Sequence, residues 1–374
     1  MTDRALGIYV HWPYCARLCP YCDFNIYKDK GGDADLLHAI LADIREQAQR
    51  IDGRIVSSVH FGGGTPSLLA PRDIEAVLQT IADSFGLAPG AEIGLEANPD
   101  GFTLERARGF AGAGINRLSL GVQAFDEPSL KALGRTHDPA QAFAAIDVAQ
   151  SAFARVSLDL IYARADQTLE AWRQELTRAA ATGVGHLSPY QLTIEEGTAF
   201  AKSFARGRLP VPGADLAADF YEVTQEVLEA AGLPAYEISN HARSRAEQSQ
   251  HNLLYWRSHD WVGVGPGAHG RVALKGARTE TEAHALPKDY IAAVAASGVG
   301  WSVQEPLSVA DIRAEAILMG VRIAEGLPAD GLDLDADALS QFAAEGLASV
   351  KDGRVYLSLK GRLLADRIGE MLAG

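Results

Sequence analysis

The residues best suited to chemistry are three cysteines, the only ones in the 374-residue chain. Cys15, Cys19 and Cys22 lie within eight positions, and an odd, crowded set of this kind is a poor disulfide framework. Three and then two intervening residues instead allow one loop to bring its thiolates to a single inorganic centre. Zinc would usually take a fourth Cys or His, but the nearby His11 lies on a predicted strand and position 24 is Phe24. Three thiolates with one open iron position therefore favour a [4Fe–4S] cluster.

A second group of candidate residues is polar and stands where predicted strands end. These residues are Thr65, Glu96, Gln123, Asp159 and Gln191. In a barrel of alternating strands and helices, the carboxyl ends of the strands form the rim at which active sites are built. We therefore expect these side chains to surround one site next to the cysteine loop.

The elements that position these residues follow from the alternation of β-rich and amphipathic segments. Six strands are predicted, at residues 7–12, 55–61, 92–96, 117–122, 156–162 and 186–193. Helices are predicted between them, at residues 36–51, 73–85, 103–113, 127–133, 139–152 and 169–182. This order is typical of parallel βα units, so we expect an α/β fold with a partial barrel of six units in residues 1–200.

The alternation ends near residue 200, and residues 201–287 are predicted to form a connecting region. A helix is expected at 215–231, and the segment 236–271 after it is rich in polar and aromatic residues. This segment includes residues 251–256, HNLLYW, in which a lone histidine and two aromatic side chains usually have structural roles.

Residues 288–374 are predicted to form a smaller α+β domain. Helices are expected at 308–324 and 335–347, and a hairpin at Asp352-Gly353. Helices followed by a hairpin are typical of a winged helix, a shape that often binds DNA. Here four acidic residues favour packing or cover of a substrate instead; they are Asp330, Asp333, Asp335 and Asp337.

The composition argues against several classes of protein. A formal net charge of −14 and a pI near 5.2 argue against a nucleic-acid partner, because phosphate binding needs a basic face. No run of about 20 apolar residues predicts a membrane span, and the first residues show no signal-peptide pattern. We therefore expect a cytoplasmic protein that is not integral to a membrane.

The cysteine spacing resembles the CxxxCxxC motif of the radical S-adenosylmethionine (SAM) enzymes. Within that superfamily, four later stretches resemble the oxygen-independent coproporphyrinogen III oxidase family, namely residues 62–67 (GGGTPS), 96–99 (EANP), 119–123 (SLGVQ) and 158–162 (LDLIY). Three features are closer to the HemW branch of this family, the heme chaperones. Phe24 stands where the oxidases have a further cysteine, residues 251–256 are similar to the HNxxYW motif of that branch, and only 14 residues precede Cys15, where the oxidases carry a longer extension.

This resemblance implies a fold and two cofactors. The fold is a partial (β/α)6 radical SAM barrel of TIM type, followed at residues 288–374 by a domain like that of the oxidases. The three cysteines would bind the [4Fe–4S] cluster, and the amino and carboxylate groups of SAM would chelate its open iron. An electron from the cluster would then cleave the sulfonium to a 5′-deoxyadenosyl radical, while the protein positions the cofactors.

The resemblance also assigns residues to SAM. It implies SAM-binding positions at Tyr9, Glu96, Gln123, Arg135 and Asp159, a backbone contact with adenine at Tyr21, and a turn with free N–H groups beside the cofactor at Gly63, Gly64 and Thr65. The charges agree: Glu96 suits the ammonium group, Arg135 suits the carboxylate, and the other polar groups suit hydroxyls or the sulfonium. The chain departs from the family at residues 163–166, where Ala-Arg-Ala-Asp replaces the usual Gly-Leu-Pro, so the shape of that loop stays open.

The HNxxYW segment is also the candidate heme site. Imidazole is a common axial ligand of heme iron and aromatic faces suit a porphyrin, so we predict His251 as the ligand. His241 and His259 flank the segment and are alternatives. Three arginines make the segment locally basic, as heme propionates would require; they are Arg243, Arg245 and Arg257.

The expected function is that of a heme chaperone, which binds heme together with a [4Fe–4S] cluster and SAM. It would transfer heme to a recipient protein such as a membrane-bound respiratory enzyme. The alternative is an oxygen-independent coproporphyrinogen III dehydrogenase, which performs two oxidative decarboxylations by radical SAM chemistry. A radical enzyme for an unrelated substrate is a third hypothesis. The sequence leaves open the recipient, whether heme is attached covalently, whether the chain forms a homodimer, and whether SAM is cleaved.

Overall fold

The computed structural model describes residues 5–29, 31, 33–51 and 54–374. The predicted absence of a signal peptide depends on residues 1–4, which lie outside the described residues. The strands are β1 Leu6–Trp12, β2 Tyr14–Cys15, β3 Tyr27–Lys28, β4 Val56–Gly63, β5 Leu87–Ala97, β6 Arg117–Gln123, β7 Arg155–Tyr162, β8 His186–Gln191, β9 His241–Ala242, β10 Asp260–Val264, β11 His269–Leu274, β12 Ala277–Ala283, β13 Trp301–Pro306, β14 Leu327–Pro328, β15 Ala348–Lys351 and β16 Arg354–Leu357.

Helices fill the intervals between the strands. They are α1 Asp33–Arg50, α2 Pro71–Ser84, α3 Leu104–Gly112, α4 Glu127–Ala132, α5 Pro139–Ala152, α6 Leu169–Ala181, α7 Ala199–Ala205, α8 Ala214–Ala230, α9 Gln250–Trp256, α10 Pro287–Ser297, α11 Val309–Gly320, α12 Ala336–Ala344, α13 Leu359–Arg362 and α14 Ala365–Ala373. Within the part of the chain that the structure describes, none of these helices is both long and apolar enough to cross a membrane.

One mixed sheet carries most of the strands, in the order β13-β12-β11-β10-β1-β4-β5-β6-β7-β8-β9. Within this order, the seven strands β10-β1-β4-β5-β6-β7-β8 are each parallel to their neighbours. The strands beyond them, β9 at one end and β11 to β13 at the other, pair in antiparallel fashion. The six predicted strands, now β1 and β4 to β8, therefore lie side by side and form the α/β partial barrel that the sequence predicts.

Strand β10 is the main departure from the predicted arrangement. It lies in the segment expected to be only a connection, yet Leu6 to Val10 of β1 pair in parallel with Asp260 to Val264. It then leads into the antiparallel pair β11 and β12, which a turn at Lys275-Gly276 joins. Its residues, DWVGV, do not alternate strictly between polar and apolar types, so periodicity does not mark them as a strand.

Local capping signals explain where the helices begin. At α5 the Asp138 carboxylate accepts the backbone N–H of Gln141 at 2.8 Å, and the Gln141 side chain accepts the N–H of Asp138 at 2.8 Å. Pro139 takes the first helical position, where its missing N–H costs nothing. This reciprocal pair is a capping box, and its sequence signal is why the helix start was predictable.

The main core lies between the large sheet and the helices that cover its outer face. Helix α1 shows the principle, because Leu36, Ile40 and Ile44 repeat every four residues and are fully buried. Each such side chain contributes about 1.5–3 kcal/mol by leaving water. Packing of this kind holds the helices against the barrel and leaves the strand ends free to carry polar groups.

The C-terminal residues have a second core and a small sheet of their own. The sheet order is β14-β16-β15, all antiparallel. Its turn has positive φ at Asp352 (50°) and Gly353 (70°), which is the hairpin turn that the Asp-Gly pair predicts. Helices α11, α12 and α14 pack beside it, with a core that includes Ile317, Phe342 and Ile368. This is the predicted winged-helix-like α+β arrangement, while the division of the chain at residues 200 and 287 stays a prediction.

Candidate functional site

The barrel is hollow because small residues occupy its inward positions. Gly94 of β5, Ser119 and Gly121 of β6, Ser157 of β7 and Ser188 of β8 all line one cavity of about 510 Å³. Closed barrels of this type are usually filled by layers of bulky branched side chains at these positions. Replacing them with glycine and serine leaves space along the strands and surrounds it with hydroxyl groups.

The cysteine loop borders the rim end of this cavity. Cys15 ends β2, and Cys19 and Cys22 follow on the loop between β2 and β3; all three line the cavity. Pairing of Tyr14 with Tyr27 holds the two ends of the loop together. The loop therefore places all three thiols on the lining of the same cavity.

The glycine turn after β4 supports this loop, and its N–H groups are not free. The N–H of Gly64 donates to the Trp12 carbonyl at 2.7 Å, and the N–H of Thr65 donates to the Tyr14 carbonyl at 2.9 Å. The prediction of free N–H groups at this turn is therefore wrong for Gly64 and Thr65. A Cβ at Gly64 would lie 2.7 Å from the Tyr14 carbonyl oxygen, so glycine serves close approach of the cysteine loop rather than of a cofactor.

The donors around the thiols fit an iron–sulfur cluster. The Thr65 hydroxyl donates to the Cys15 sulfur at 3.5 Å, and Arg135 Nη1 donates to the Cys19 sulfur at 3.5 Å. Burial raises the pKa of Cys15 and raises that of Cys22 to about 11, so a cationic centre at the loop would stabilise their thiolate forms. No three Cys, His, Asp or Glu side chains of the described ranges converge as they would on a single metal ion.

The structure brings most of the predicted SAM residues to the same cavity. Those that line it are Tyr21, Gly63, Gly64, Thr65, Glu96, Gln123, Arg135 and Asp159. Tyr9 lies one layer behind, where its hydroxyl contacts His11 Nδ1 at 3.1 Å. The Tyr9 ring also stacks on the ring of His60, with centroids 6.3 Å apart.

Two carboxylates dominate the charge inside the cavity. Glu96 Oε1 pairs with His60 Nε2 at 2.9 Å, and Asp159 accepts the Ser119 hydroxyl at 2.9 and 3.1 Å. Burial, with the nearby Glu96 charge second, raises the pKa of Asp159 to about 7. A cation placed near both carboxylates would stabilise the ionised form of Asp159.

Arg135 is tied to both the cysteine loop and the strand ends. Its Nη2 donates to the Gly121 carbonyl at 2.9 Å and to Asn98 Oδ1 at 2.5 Å, while Nη1 reaches Cys19. Gln123, at the end of β6, has φ of 67°, a left-handed value that turns the chain out of the strand. Asn98 and His60 were not predicted, although both lie next to predicted residues.

A buried ion pair that sequence reasoning missed shapes the loop after β7. Arg164 Nη2 lies 2.6 Å from Glu175 Oε2, and both side chains are 7% exposed. Ala163 and Asp166 have φ values of 57° and 58°, so the loop folds tightly around the arginine. Glu175 also accepts the N–H of Phe125 at 2.7 Å, just beyond Gln123. The sequence carries no local signal for this pair, because its partners lie on separate elements.

His251 lies behind the cavity wall rather than on it. It is 1% exposed, with Nδ1 3.0 Å from the Ser58 hydroxyl and Nε2 2.6 Å from the Tyr255 hydroxyl. Its neighbour Asn252 does line the cavity. His241 is also buried, and its Nδ1 lies 3.1 Å from the Leu233 carbonyl.

The predicted basic group around this segment is divided. Arg257 pairs with Glu325 through two contacts of 2.8 Å. Arg243 and Arg245 are exposed. The structure therefore leaves two of the three arginines on the surface and uses the third in an ion pair with the C-terminal part of the chain.

Comparison with known proteins agrees with this fold. Residues 9–178 match the Radical SAM superfamily. The solved structure of the radical SAM enzyme coproporphyrinogen III oxidase (HemN) from Escherichia coli superimposes with a TM-score of 0.83 at 24% identity, over 100% of this chain and 91% of that one. The fold is therefore that of a radical SAM protein.

The most informative sequence relatives are named heme chaperones. The heme chaperone HemW of Mycobacterium tuberculosis is 36% identical over 381 residues, which cover 100% of this chain and 96% of the relative. HemW of Escherichia coli is 40% identical over 277 residues, 73% of this chain and 72% of the relative. The bovine mitochondrial radical S-adenosyl methionine domain-containing protein 1 is 39% identical over 87% of this chain and 75% of its own length. The chain belongs to the HemW family of radical SAM proteins.

Proposed function

We propose that the protein binds a [4Fe–4S] cluster and SAM at the rim of the barrel and carries heme to recipient proteins. Cys15, Cys19 and Cys22 would hold three irons of the cluster and leave the fourth open. When bound and reduced, the cluster supplies an electron for the cleavage of SAM. Thr65 and Arg135 donate hydrogen bonds to two of the sulfurs, and such bonds tune the reduction potential of a cluster.

The cavity residues would orient SAM by its charges. Glu96 and Asp159 both present a carboxylate to the cavity, and these two negative charges suit the ammonium and sulfonium groups of SAM. Arg135 has five N–H donors, and its contacts with Asn98, Gly121 and Cys19 leave donors for the carboxylate of SAM. Tyr9 would act from behind the residues that line the cavity, since its ring packs between His11 and His60.

The observation that carries the heme proposal is an exposed aromatic mouth on a chain whose full-length relatives are named heme chaperones. Phe24 is 60% exposed and Tyr190 is 40% exposed, and both line the cavity at the rim. A porphyrin has a flat apolar face that would pack against such aromatic side chains. Arg17 lines the same mouth and can face a heme propionate.

Binding of heme iron by His251 is a separate part of the proposal from contact at the mouth, because Glu92, which accepts the His251 backbone N–H, lies four residues before Glu96 on β5. The ring would have to leave Ser58 or Tyr255, because both nitrogens are already engaged. The test is the absorption spectrum of heme bound to His251→Ala, with His241→Ala and His259→Ala as parallel variants. A changed spectrum in His251→Ala alone supports the assignment, whereas unaltered spectra in all three variants place the iron ligand elsewhere.

A coproporphyrinogen III dehydrogenase is the second candidate, favoured by the cavity that continues into the barrel beyond the SAM residues. The deciding experiment is anaerobic reconstitution of cluster and SAM, followed by two separate assays. A heme chaperone should retain heme on gel filtration and show no decarboxylation of coproporphyrinogen in the presence of a reductant. Measurable decarboxylation would reverse the assignment, and failure to retain heme would remove the chaperone proposal.

The proposed setting of this activity is the cytoplasm. A recipient there, such as the cytoplasmic side of a membrane-bound respiratory enzyme, would receive heme by direct contact. Transfer is measured by mixing heme-loaded protein with an apo-form of such an enzyme and following the heme spectrum of the recipient.

A further inference from the structure

His60 lies one level below the carboxylate of Glu96, toward the start of the strands. Its Nε2 is 2.9 Å from Glu96 Oε1, and 17% of the His60 side chain is exposed. In the register of the sheet, His60 of β4 lies opposite Tyr9 of β1 and Gly94 of β5. Side chains alternate along a strand, so Glu96 is the next residue of β5 on the same face as Gly94. His60 therefore contacts one oxygen of Glu96 from the level below.

Two glycines leave the space that this pair occupies. A Cβ at Gly94 would lie 2.7 Å from His60 Nδ1. A Cβ at Gly62 would lie 3.0 Å from Glu96 Oε1 and 3.2 Å from His60 Cδ2. Glycine inside a strand weakens the strand and often marks a close approach. Both positions therefore fit a ring and a carboxylate that lie against the backbone.

The His60 ring belongs to a cluster of three rings, together with Tyr9 and His251. The rings of His60 and His251 are stacked, with centroids 5.2 Å apart and planes at 22°. The Tyr9 ring stacks on His60 at 6.3 Å and lies 6.4 Å from the ring of His251. This ring cluster joins β1 and β4 to α9, so the HNxxYW segment packs against the residue that contacts Glu96.

His251 is itself held from three directions. Its Nδ1 lies 3.0 Å from the Ser58 hydroxyl, and its Nε2 lies 2.6 Å from the Tyr255 hydroxyl. Its backbone N–H donates to Glu92 Oε1 at 3.1 Å. Burial lowers the pKa of His251 well below its usual value, with the nearby His60 as a second cause, so the ring is neutral. A neutral ring with both nitrogens bonded is a fixed support for the ring stacked on it.

We propose that the HNxxYW segment positions the SAM site, because His251 holds the His60 ring and His60 holds the Glu96 carboxylate toward the cavity. The inference rests on the proposed contact of Glu96 with SAM. It goes beyond that function by giving the segment a task in SAM binding that is separate from heme. His60 and His251 are positioning residues, since they would act on SAM only through Glu96.

The physical effect is preorganisation of the carboxylate. A glutamate that is free to rotate loses rotamer freedom when a ligand orders it, and this loss lowers the affinity for the ligand. Glu96 bonded to His60 has lost that freedom before SAM arrives. A His60 ring that could itself swing away would not provide this, so the stacked His251 is part of the arrangement.

The first test measures SAM affinity by calorimetry on the full chain with its cluster reconstituted. His60→Leu removes the donor to Glu96 and should weaken SAM binding about fivefold, whereas His60→Gln keeps an N–H donor and should recover most of the affinity. His251→Ala should weaken SAM binding about threefold, and His251→Phe, which keeps a ring in the stack, should lose less. In a Glu96→Ala background, His60→Leu and His251→Ala should each change the affinity by less than about twofold, because no carboxylate remains to be positioned.

The second test needs no SAM. NMR of the chain labelled with nitrogen-15 histidine should show a His60 Nε2–H signal that is protected from exchange with water and is absent in His60→Gln. This protection should be lost in Glu96→Ala and in His251→Ala. His241→Ala is the matched control, since His241 is equally buried but lies on β9 at the edge of the sheet. It should leave both the His60 signal and the SAM affinity unchanged.

Equal losses of SAM affinity with and without Glu96 would overturn the proposal, because they would show a general structural defect. An unchanged His60 signal together with wild-type SAM affinity in His251→Ala would remove the role of His251. If His251→Ala does not fold, Tyr255→Phe decides by the same comparison, since it frees Nε2 of His251. Wild-type SAM affinity in Glu96→Ala would instead refute the proposed SAM contact, and the His60 signal would still decide whether His251 holds His60.

Discussion

The ion pair between Arg164 and Glu175 should hold together the loops that follow β6 and β7, the strands that carry Gln123 and Asp159. Glu175 Oε2 lies 2.6 Å from Arg164 Nη2, and Oε1 lies 3.3 Å from Nη1. The same carboxylate accepts the N–H of Phe125 at 2.7 Å. Glu175→Ala removes all three contacts at once, so it tests how much of the rim depends on one buried side chain.

The magnitude follows from what the variant leaves behind. Arg164 would stay buried with the Ile161 carbonyl at 2.8 Å and with Asp126, which is half exposed and 3.4 Å away. Removing one partner of a buried pair costs about 3–5 kcal/mol, a large part of the roughly 5–15 kcal/mol by which native proteins are stable. We therefore expect Glu175→Ala to lower the free energy of unfolding by about 3–5 kcal/mol, and Glu175→Gln to lose less.

The assay is equilibrium urea unfolding followed by circular dichroism, with SAM affinity measured on the folded variant. Glu226→Ala is the matched control, because the Arg173–Glu226 pair joins α6 to α8 at the exposed surface and should contribute nothing measurable. The double variant Arg164→Met/Glu175→Leu leaves no charge unpaired and should unfold later than Glu175→Ala. A loss of under about 1 kcal/mol in Glu175→Ala, as for a surface pair, would refute this reasoning.

Three further predictions test the cluster, the SAM site and a buried acid. Cys19→Ser should abolish the oxygen-sensitive [4Fe–4S] cluster, measured by iron and sulfide analysis; an unchanged iron content would contradict the assignment. Glu96→Ala should keep the cluster spectrum but weaken SAM binding tenfold to a hundredfold, since a charge-assisted hydrogen bond contributes roughly 1.5–3 kcal/mol; wild-type affinity by calorimetry would remove Glu96 from the site. Burial raises the pKa of Asp43 from 3.8 to about 6. Because the folded state then binds the proton of Asp43 more tightly than the unfolded state does, this proton stabilises the folded protein fully below about pH 4. That contribution to the free energy of unfolding, about 3 kcal/mol, is lost as the pH rises through 6. Asp43→Asn should therefore remove that loss, and an identical pH dependence of unfolding in both proteins would count against it.

Much of the framework could be predicted because its signals are local. Helix starts such as Asp138-Pro139 and the Asp352-Gly353 turn depend on neighbours within three or four residues, and the structure confirms both. The cysteine spacing is local in the same sense. Since parallel strands end at one rim, the order of the elements was enough to bring Glu96 and Asp159 to the same cavity as the cysteine loop.

The tertiary structure decided the features whose partners are distant in the chain. The N–H groups of the glycine turn are used by the carbonyls of Trp12 and Tyr14, some 50 residues earlier. His251 is held by Ser58, 193 residues away, and the buried Arg117 donates to the carbonyl of Glu247, 130 residues away. Periodicity predicts which face of an element is buried, and capping predicts where a helix begins. Neither predicts which distant polar group will hydrogen-bond to that face. That choice is made only when the strands close around the cavity and every buried donor must find an acceptor.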